Sequence, residues 1–461
     1  MCFGMLPDGR AGETVFSRLL FMEVSMANIK RPNGTEDILP SASRDWQMLE
    51  GLLREIAGKF GFREIRVPTF EQTDLFCRSV GETTDVVQKE MYTVSAKEST
   101  FTLRPEGTAG TIRAMLQNGL LNEALPQRVY YILSCFRHER PQAGRLREFH
   151  QFGVEMAGSA SASADAEVIS LAKQIIDMVG IQGIELYINS IGCPTCRKAY
   201  HKALQDYFAA SKEQLCDTCL SRLEKNPMRI LDCKSPVCGE IAKDAPVILD
   251  YLCEECSTHF EQLQKYLTLL HIDYKINPKI VRGLDYYTKT VFEFVTTDIG
   301  AQGTVCGGGR YDGLIGQLGG PETPALGFGM GLERLLLTLR NQGIKLSEEE
   351  ACDIYFVPMG EQAAEKTFAM AAKLRSEGVS AQTDVMGRSL RAQMKYADKI
   401  NARFTLVLGD NEIAAGTAEV KNMKTGEKTS LALDDTFAER FSDVLMASMF
   451  DEDGSFANLL G

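Results

Sequence analysis

Two stretches of this sequence hold arginines where an anion would need them. Phe136-Arg137-His138-Glu139-Arg140-Pro141 is followed by Arg145 and Arg147. It lies between two runs with strand character, 128–137 and 147–157, so the charged segment 138–146 reads as a hairpin loop. Alternate side chains on a strand share a face, so a strand ending in Arg137 aims a guanidinium to one side. The planar fork of donors suits phosphate; the bland reading is a hairpin with solvated charges. In the second stretch, Leu326-Gly-Phe-Gly-Met-Gly-Leu-Glu-Arg334, small residues lead into a helix carrying Glu333 and Arg334 in its first turn. Glycines let a ligand approach the backbone, and a helix start favours anions. The alternative is a glycine-rich turn that packs a core helix. A third stretch, Thr102-Leu-Arg-Pro-Glu106-Gly-Thr108, offers a carboxylate suited to a ligand ammonium, or equally a cap for a helix at 109–117. Gln151 and Glu155 sit four apart on a strand and share a face. Two buried polar groups need partners, which a ligand supplies more readily than a core does.

Thirteen cysteines are present, and eight fall between Cys193 and Cys256. They form four pairs: Cys193-x₂-Cys196, Cys216-x₂-Cys219, Cys233-x₄-Cys238 and Cys253-x₂-Cys256. Spaced pairs of this kind are a zinc signature in a reducing compartment, and two four-cysteine sites are arithmetically possible. The alternative is eight free, buried thiols. Arg388, Arg391, Lys395 and Lys399 recur at three- and four-residue spacing, with Arg403 beyond. They read as one basic helix face, opposite Leu390, Met394 and Ala397. Such a stripe is either a phosphate-contacting surface or a solvated face.

The elements that must position these groups follow from the hydrophobic pattern. Trp46, Leu49, Leu52, Leu53 and Ile56 space a helix over 42–60. Arg63–Pro68, Ile184–Ile188 and Val291–Thr296 read as strands, and Asp165–Val179 and Leu332–Arg340 as helices. Gly307–Gly309 and Gly327, Gly329 and Gly331 read as turn punctuation. After Gly343 the pattern becomes β-α-β-α-β: Ile354–Val357, a helix at 361–376, Ala381–Asp384, a helix at 389–400 and Phe404–Leu408. That is a small separate α/β domain. The chain has 461 residues, 44% hydrophobic and 24% charged, which excludes disorder, collagen and coiled coil as the main architecture. With 50 Lys+Arg against 62 Asp+Glu, the net charge is −12, so the chain is no general polyanion binder. No apolar run is long enough to span a bilayer, and the N-terminus lacks the lead of a signal peptide. The expected location is the cytoplasm. Residues 1–25 read as an extension ahead of Met26, either a mobile segment or a start placed too early.

These pieces resemble a family. Arg137 in its hairpin and Gly327–Arg334 resemble motifs 2 and 3 of class II aminoacyl-tRNA synthetases. Glu64–Phe76 resembles motif 1, with Pro68 at the position of the dimer interface. Arg282-Gly-Leu-Asp-Tyr-Tyr287 and Gly308-Gly-Arg-Tyr311-Asp-Gly resemble the two signatures peculiar to histidyl-tRNA synthetases. The resemblance covers about Ile29 to 440, with five separated motifs in order. It implies an α+β catalytic domain at 26–345 with an antiparallel six-stranded sheet. It further implies a Cys-rich, mainly helical insertion at 192–262, a C-terminal α/β anticodon-binding domain at 350–440 and a tail at 441–461, in a homodimer. The implied activity is ATP-dependent formation of histidyl-adenylate, then transfer of histidine to the 3′ end of its tRNA, with Mg²⁺ accompanying the nucleotide.

Implied roles come with it. Arg137 and Arg282 are the catalytic residues, Arg137 on the ATP α-phosphate and Arg282 against the reacting carboxylate and that phosphate. Arg145 reaches the γ-phosphate, and Phe149 and Arg334 sandwich adenine. Glu106, Thr108, Gln151 and Tyr311 hold the α-amino group of histidine. Glu155 and Tyr287 bond the imidazole nitrogens, with Tyr286 beside them. Gln142 and Arg147 meet the acceptor end of the tRNA, and Arg388, Arg391, Lys395 and Lys399 belong to its anticodon contacts. Structural zinc in the insertion, on the eight cysteines, clamps that domain. The rival readings are a synthetase-like regulatory subunit that binds histidine and charges nothing, and an RNA-binding protein with a vestigial site.

Overall fold

The computed structural model describes residues 29–452 except 82–83, 85, 97–98, 234, 299–302 and 348–351. The extension 1–25 and Met26 lie outside the described residues. The chain divides into two units, Met1–Leu346 and Ser347–Gly461.

The first unit opens on the helix Pro40–Lys59, which buries Leu49, Leu53, Ile56 and Ala57 at the expected three- and four-residue spacing. Among the described residues, its main sheet has eight strands. Their order is Arg63–Glu64, Gln127–Phe136, Glu148–Ala157, Ala325–Gly331, Thr304–Arg310, Thr288–Val295, Glu185–Ser190 and Lys275–Ile276. The sheet is therefore mixed and eight-stranded, not antiparallel and six-stranded. The six central strands do pair antiparallel. A parallel strand of two residues is added at each edge. Two residues carry no alternation, so neither edge could be read from the pattern, and the expected strand from Arg63 to Pro68 keeps only Arg63–Glu64.

Alternation decides what each face of the sheet does. On Glu148–Ala157, Phe152, Val154 and Met156 join a core with Val168, Ile169 and Ile175 of the helix Ala162–Met178 and with Phe260, Leu263 and Leu267 of the helix Glu254–Leu269. Gln151, Gly153 and Glu155 consequently point to the other face. The glycines at 307–309, 327, 329 and 331 lie inside paired strands, not in turns. At 307, 327 and 329 the missing side chains make room on that second face, whereas a Cβ on Gly308 would meet Gly327 O and Phe328. A Cβ on Gly327 would stand 2.1 Å from Glu155 Oε2, one on Gly329 2.2 Å from Gln151 Nε2, and one on Gly307 2.6 Å from an Arg282 guanidinium nitrogen.

The Cys-rich segment is helical, with Pro194–Ala209, Asp217–Lys225 and Pro236–Ile241 around a core of Tyr200, Leu204, Phe208, Leu223 and Ile230. In the second unit the strands run Ala381–Thr383, Ile354–Pro358, Phe404–Leu408, Thr417–Asn422, Lys428–Ala432. The first three are parallel, as the β-α-β-α-β reading requires. Thr417–Asn422 and Lys428–Ala432 add an antiparallel hairpin that the reading lacked. The helix Phe437–Glu452 buries Phe437, Phe441 and Leu445 and runs across position 440, where the domain was expected to end. Among the described residues, no helix is long and apolar enough to cross a membrane.

Candidate active site

The glycine-floored face of the main sheet opens into a cleft of about 1060 Å³, lined by Arg137, Arg145, Phe149, Arg282, Glu293 and Arg334 among others. The arginines arrive from three elements. Arg137 follows the strand Gln127–Phe136, and its Nε donates to Leu146 O at 2.9 Å across the hairpin. Its guanidinium stacks on Phe149, 3.9 Å from the ring centroid. Arg145 is ion-paired with Glu139. Arg334, in the first turn of the helix Leu332–Asn341, donates from Nε to Gly144 O at 3.2 Å and from Nη1 to Thr304 O. Arg282 is ion-paired with Glu293 and lies over Tyr287, 5.8 Å from its ring centroid.

Burial pushes Arg137 down to about 10, and the positive charge of Arg145 and then Arg334 adds to the effect. Arg137, Arg282 and Arg334 remain charged at neutral pH. A cleft in which burial and the nearby charge of Arg145 lower both Arg137 and Arg334 is complementary to a polyanion. Opposite them, burial pushes Glu90 up to about 7, while Glu139 is held near 2 against its own burial by its bonds to Arg145 and Glu90.

Behind the cleft, polar side chains meet in a buried cluster. Glu155 is fully buried. Its Oε1 accepts from Thr108 Oγ1 at 2.7 Å and Tyr131 Oη at 3.1 Å, and its Oε2 accepts from Tyr311 Oη. Burial pushes its carboxyl up to about 8, against the pull of the three hydroxyls. Tyr286, Tyr287 and Tyr311 form one aromatic cluster with centroids 4.7, 5.4 and 6.5 Å apart. Gln151 joins the pocket to the cleft, its Oε1 accepting from Gly107 N at 3.0 Å. Glu106 accepts from Thr108 N at 2.6 Å and Ala109 N at 2.8 Å, so here it does cap the helix Thr108–Gln117.

Two residues of this site escaped the sequence reading. Tyr131 stands opposite Gly153 in the strand pair and needs its space, since a Cβ there would lie 2.3 Å from the ring. Glu293, the partner of Arg282, is the lone charge in the apolar run Val291–Val295; a charge at a strand position facing inward was the available signal.

The remaining expected residues fall elsewhere. Gln142 closes the hairpin loop through paired backbone bonds with Arg145, at 3.0 and 2.9 Å. Arg147 is used inside the same region, donating to Glu139 O at 3.0 Å and Asn33 O at 3.3 Å. In the second unit, Arg388 precedes the helix Leu390–Lys399, is ion-paired to Asp384 at 2.6 Å and lies over Tyr396. It is therefore not on the helix face, which keeps Arg391, Lys395 and Lys399, all exposed. Leu390 is exposed too, and Gln393 takes the buried position expected of it, donating to Pro358 O at 3.0 Å. The register is offset because Gln393 and Ala397, four apart, face the sheet.

The eight cysteines of the helical insertion gather into two groups, Cys193/Cys196/Cys253/Cys256 and Cys216/Cys219/Cys233/Cys238. All are free thiols. Sulfur–sulfur distances of 3.6 Å (Cys193–Cys196), 3.9 Å (Cys193–Cys253) and 3.8 Å (Cys216–Cys233) are far from a disulfide. Backbone N–H groups of Cys253 and Cys216 point at Cys196 Sγ and Cys238 Sγ, at 3.1 and 3.3 Å.

Comparison with known proteins matches this architecture. A family model described as histidyl-tRNA synthetase matches residues 34–335, and one described as an anticodon binding domain matches 353–439. The histidine–tRNA ligase of Caldanaerobacter subterraneus subsp. tengcongensis is 52% identical over 407 residues, 88% of this chain and 98% of that protein. That of Clostridium novyi is 53% identical over 406 residues, 88% and 97% of the two chains. The crystal structure of apo S. aureus histidyl-tRNA synthetase aligns with a TM-score of 0.77 and 40% identity, covering 90% of this chain and 99% of that one.

Proposed function

This chain belongs to the histidyl-tRNA synthetase family, and we infer from its site that it activates histidine with ATP and ligates it to tRNA. The observation that carries the reading is the convergence of Arg137, Arg145, Arg282 and Arg334 on one cleft backed by the Glu155 pocket. Attack of a carboxylate on an α-phosphate brings two anions together, so fixed positive charge and alignment are the main catalytic needs. We assign Arg282 and Arg137 to that charge, Arg145 to the distal phosphates, and Phe149 with Arg334 to the adenine. No general base is required, because the histidine carboxylate is already ionised. Mg²⁺ is expected with the nucleotide; Glu139 and Glu293 in the cleft wall are oxygen donors of the kind it takes, and it would neutralise phosphate charge.

Glu106, Thr108, Gln151, Glu155, Tyr286, Tyr287 and Tyr311 are assigned to histidine. Glu155, protonated at neutral pH where it stands, can pass its proton to an imidazole nitrogen and become the counter-ion of the ring. A ligand without that ring offers no basic nitrogen to take the proton and forgoes the charged pair, which is how such sites reject near-analogues. Gln142 and Arg147 are assigned to the acceptor end of the tRNA, and Arg391, Lys395 and Lys399 to its phosphates in the anticodon region, with Arg388 ordering the turn ahead of them. Exposed Phe70 and Val94, near the expected interface position Pro68, support a homodimer. We place the reaction in the cytoplasm. Each cysteine group fits one Zn²⁺: four sulfurs at ~2.3 Å from a tetrahedral ion lie ~3.8 Å apart, close to the spacings here.

The alternative, a regulatory relative that binds histidine without charging it, has no use for four arginines in the cleft. Pyrophosphate exchange with each amino acid decides between them. Exchange should occur with histidine alone; exchange with none, or better with another amino acid, overturns the reading.

A further inference from the structure

The loop 282–287 carries Arg282, Tyr286 and Tyr287, yet it belongs to no strand or helix. Its position must be set by what grips it from outside. Two of the grips come from arginines placed beside the two cysteine groups. Arg197 directly follows Cys196, and its Nη1 donates to Tyr287 O at 3.2 Å. Arg229 lies between Cys219 and Cys233 in the turn Pro227–Ile230. Its Nη2 donates to Gly283 O at 2.7 Å and to Asp285 Oδ1 at 3.1 Å. Asn226, at the start of the same turn, donates to Asp285 Oδ1 at 3.2 Å.

The Arg229 side chain is largely buried, with 13% exposed. One bond from this turn, Arg229 Nη2 to Gly283 O, therefore reaches the backbone of the residue next to Arg282. Within the insertion the turn is held by burial of Pro227 and Met228 and by Arg222 Nη1 donating to Arg229 O at 3.1 Å. It is short, its Ile230 inserts into the insertion's core, and it is followed at once by Cys233, whose N–H donates to Ile230 O at 3.1 Å. Cys216, Cys233 and their group also reach the cleft: Cys216 and Cys233 line it together with Arg229 and Arg282. Bringing four thiols together without a central ion gains little, whereas a bound ion ties four chain positions to one point.

We propose that a metal ion held by Cys216, Cys219, Cys233 and Cys238 fixes Arg229, that Arg229 fixes the loop 282–287, and that metal occupancy of the insertion thereby sets the rate of adenylate formation. Arg229 is a positioning residue in this scheme, acting through Gly283 and Asp285 on Arg282. The inference rests on the assignments of Arg282 and of zinc made above.

The test uses the full-length chain, with zinc content, histidine and ATP KM, and single-turnover adenylate formation measured on each variant. Arg229→Ala should slow adenylate formation on the order of 10- to 100-fold at saturating substrates, as expected for a misplaced catalytic group, while KM changes little and both zinc ions stay. Arg229→Lys keeps the charge but loses the fork and should recover only part of the rate. Cys219→Ser should lose one zinc and show a comparable slowing, and joining it to Arg229→Ala should add nothing. A wild-type rate in Arg229→Ala, or in a folded Cys219→Ser that has lost its zinc, or full multiplication of the two effects, overturns the proposal. If Cys219→Ser does not fold, the Arg229→Ala and Arg229→Lys pair still decides it. Parallel controls separate the levels: an active Arg282→Ala, or a zinc-free wild-type chain, refutes the underlying assignments, whereas an inactive Arg282→Ala beside a normal Arg229→Ala refutes this inference alone.

Discussion

Glu155 shows how one residue's chemistry depends on its surroundings. Its carboxyl moves from 4.5 to about 8 because burial outweighs the three hydroxyls that favour its charge. The folded protein then keeps a proton that the unfolded chain has released. Stability contributed by this group is complete below about pH 4.5 and is lost as pH rises through 8, with a slope of up to ~1.4 kcal/mol per pH unit. Glu155→Gln cannot titrate and should flatten that part of the profile, seen as thermal midpoints that fall less between mildly acidic and mildly basic buffer. Superimposable profiles for the two proteins would remove Glu155 as the source. The same variant should lose discrimination for histidine, since an amide cannot become the counter-ion of a protonated ring. The Gln151 and Glu155 pair was legible from its four-residue strand spacing. Tyr131 was not, because nothing local distinguishes an inward tyrosine that bonds a carboxylate from one that fills a core.

At the scale of the element, the informative residues are glycines. In sequence, 307–309 and 327–331 read as turns, because glycine in a short window signals backbone freedom. In the sheet they are strand positions, and at 307, 327 and 329 a neighbour's side chain occupies the space a Cβ would fill. Gly327→Ala should therefore strain the Glu155 carboxylate and Val154 O, which stand 2.1 and 2.2 Å from the added carbon. The expected cost is ~1–3 kcal/mol, with loss of histidine binding. Gly51 is the control. It lies in the helix Pro40–Lys59 with nothing within 4 Å of its would-be Cβ, so Gly51→Ala should raise stability by ~0.5–1 kcal/mol. Denaturant melts of both variants measure this, and equal effects of the two substitutions would contradict the packing account.

For the whole molecule, the insertion's two cysteine groups are the test of long-range order. The first closes the neck between residues 193 and 256, and the second a smaller loop between 216 and 238. Elemental analysis of the purified chain should give two zinc per chain, and a strong chelator should lower the melting temperature. A metal-free chain that melts at the same temperature would end the metal assignment. Much of this molecule was already determined by its sequence. The long helix at 40–59, the paired strands around the Arg137 hairpin and the β-α-β-α-β start of the second unit follow from periodicities of two and 3.6, and the expected site residues from motifs that resemble a family's. What the tertiary structure alone decided are the relations between residues far apart along the chain. These are the edge strands of two residues, the sorting of eight thiols into two groups, Glu293 beside Arg282, and Arg229 on the loop 282–287. Such relations depend on where separate segments meet in space, and a one-dimensional pattern records only what each segment needs from its own neighbours.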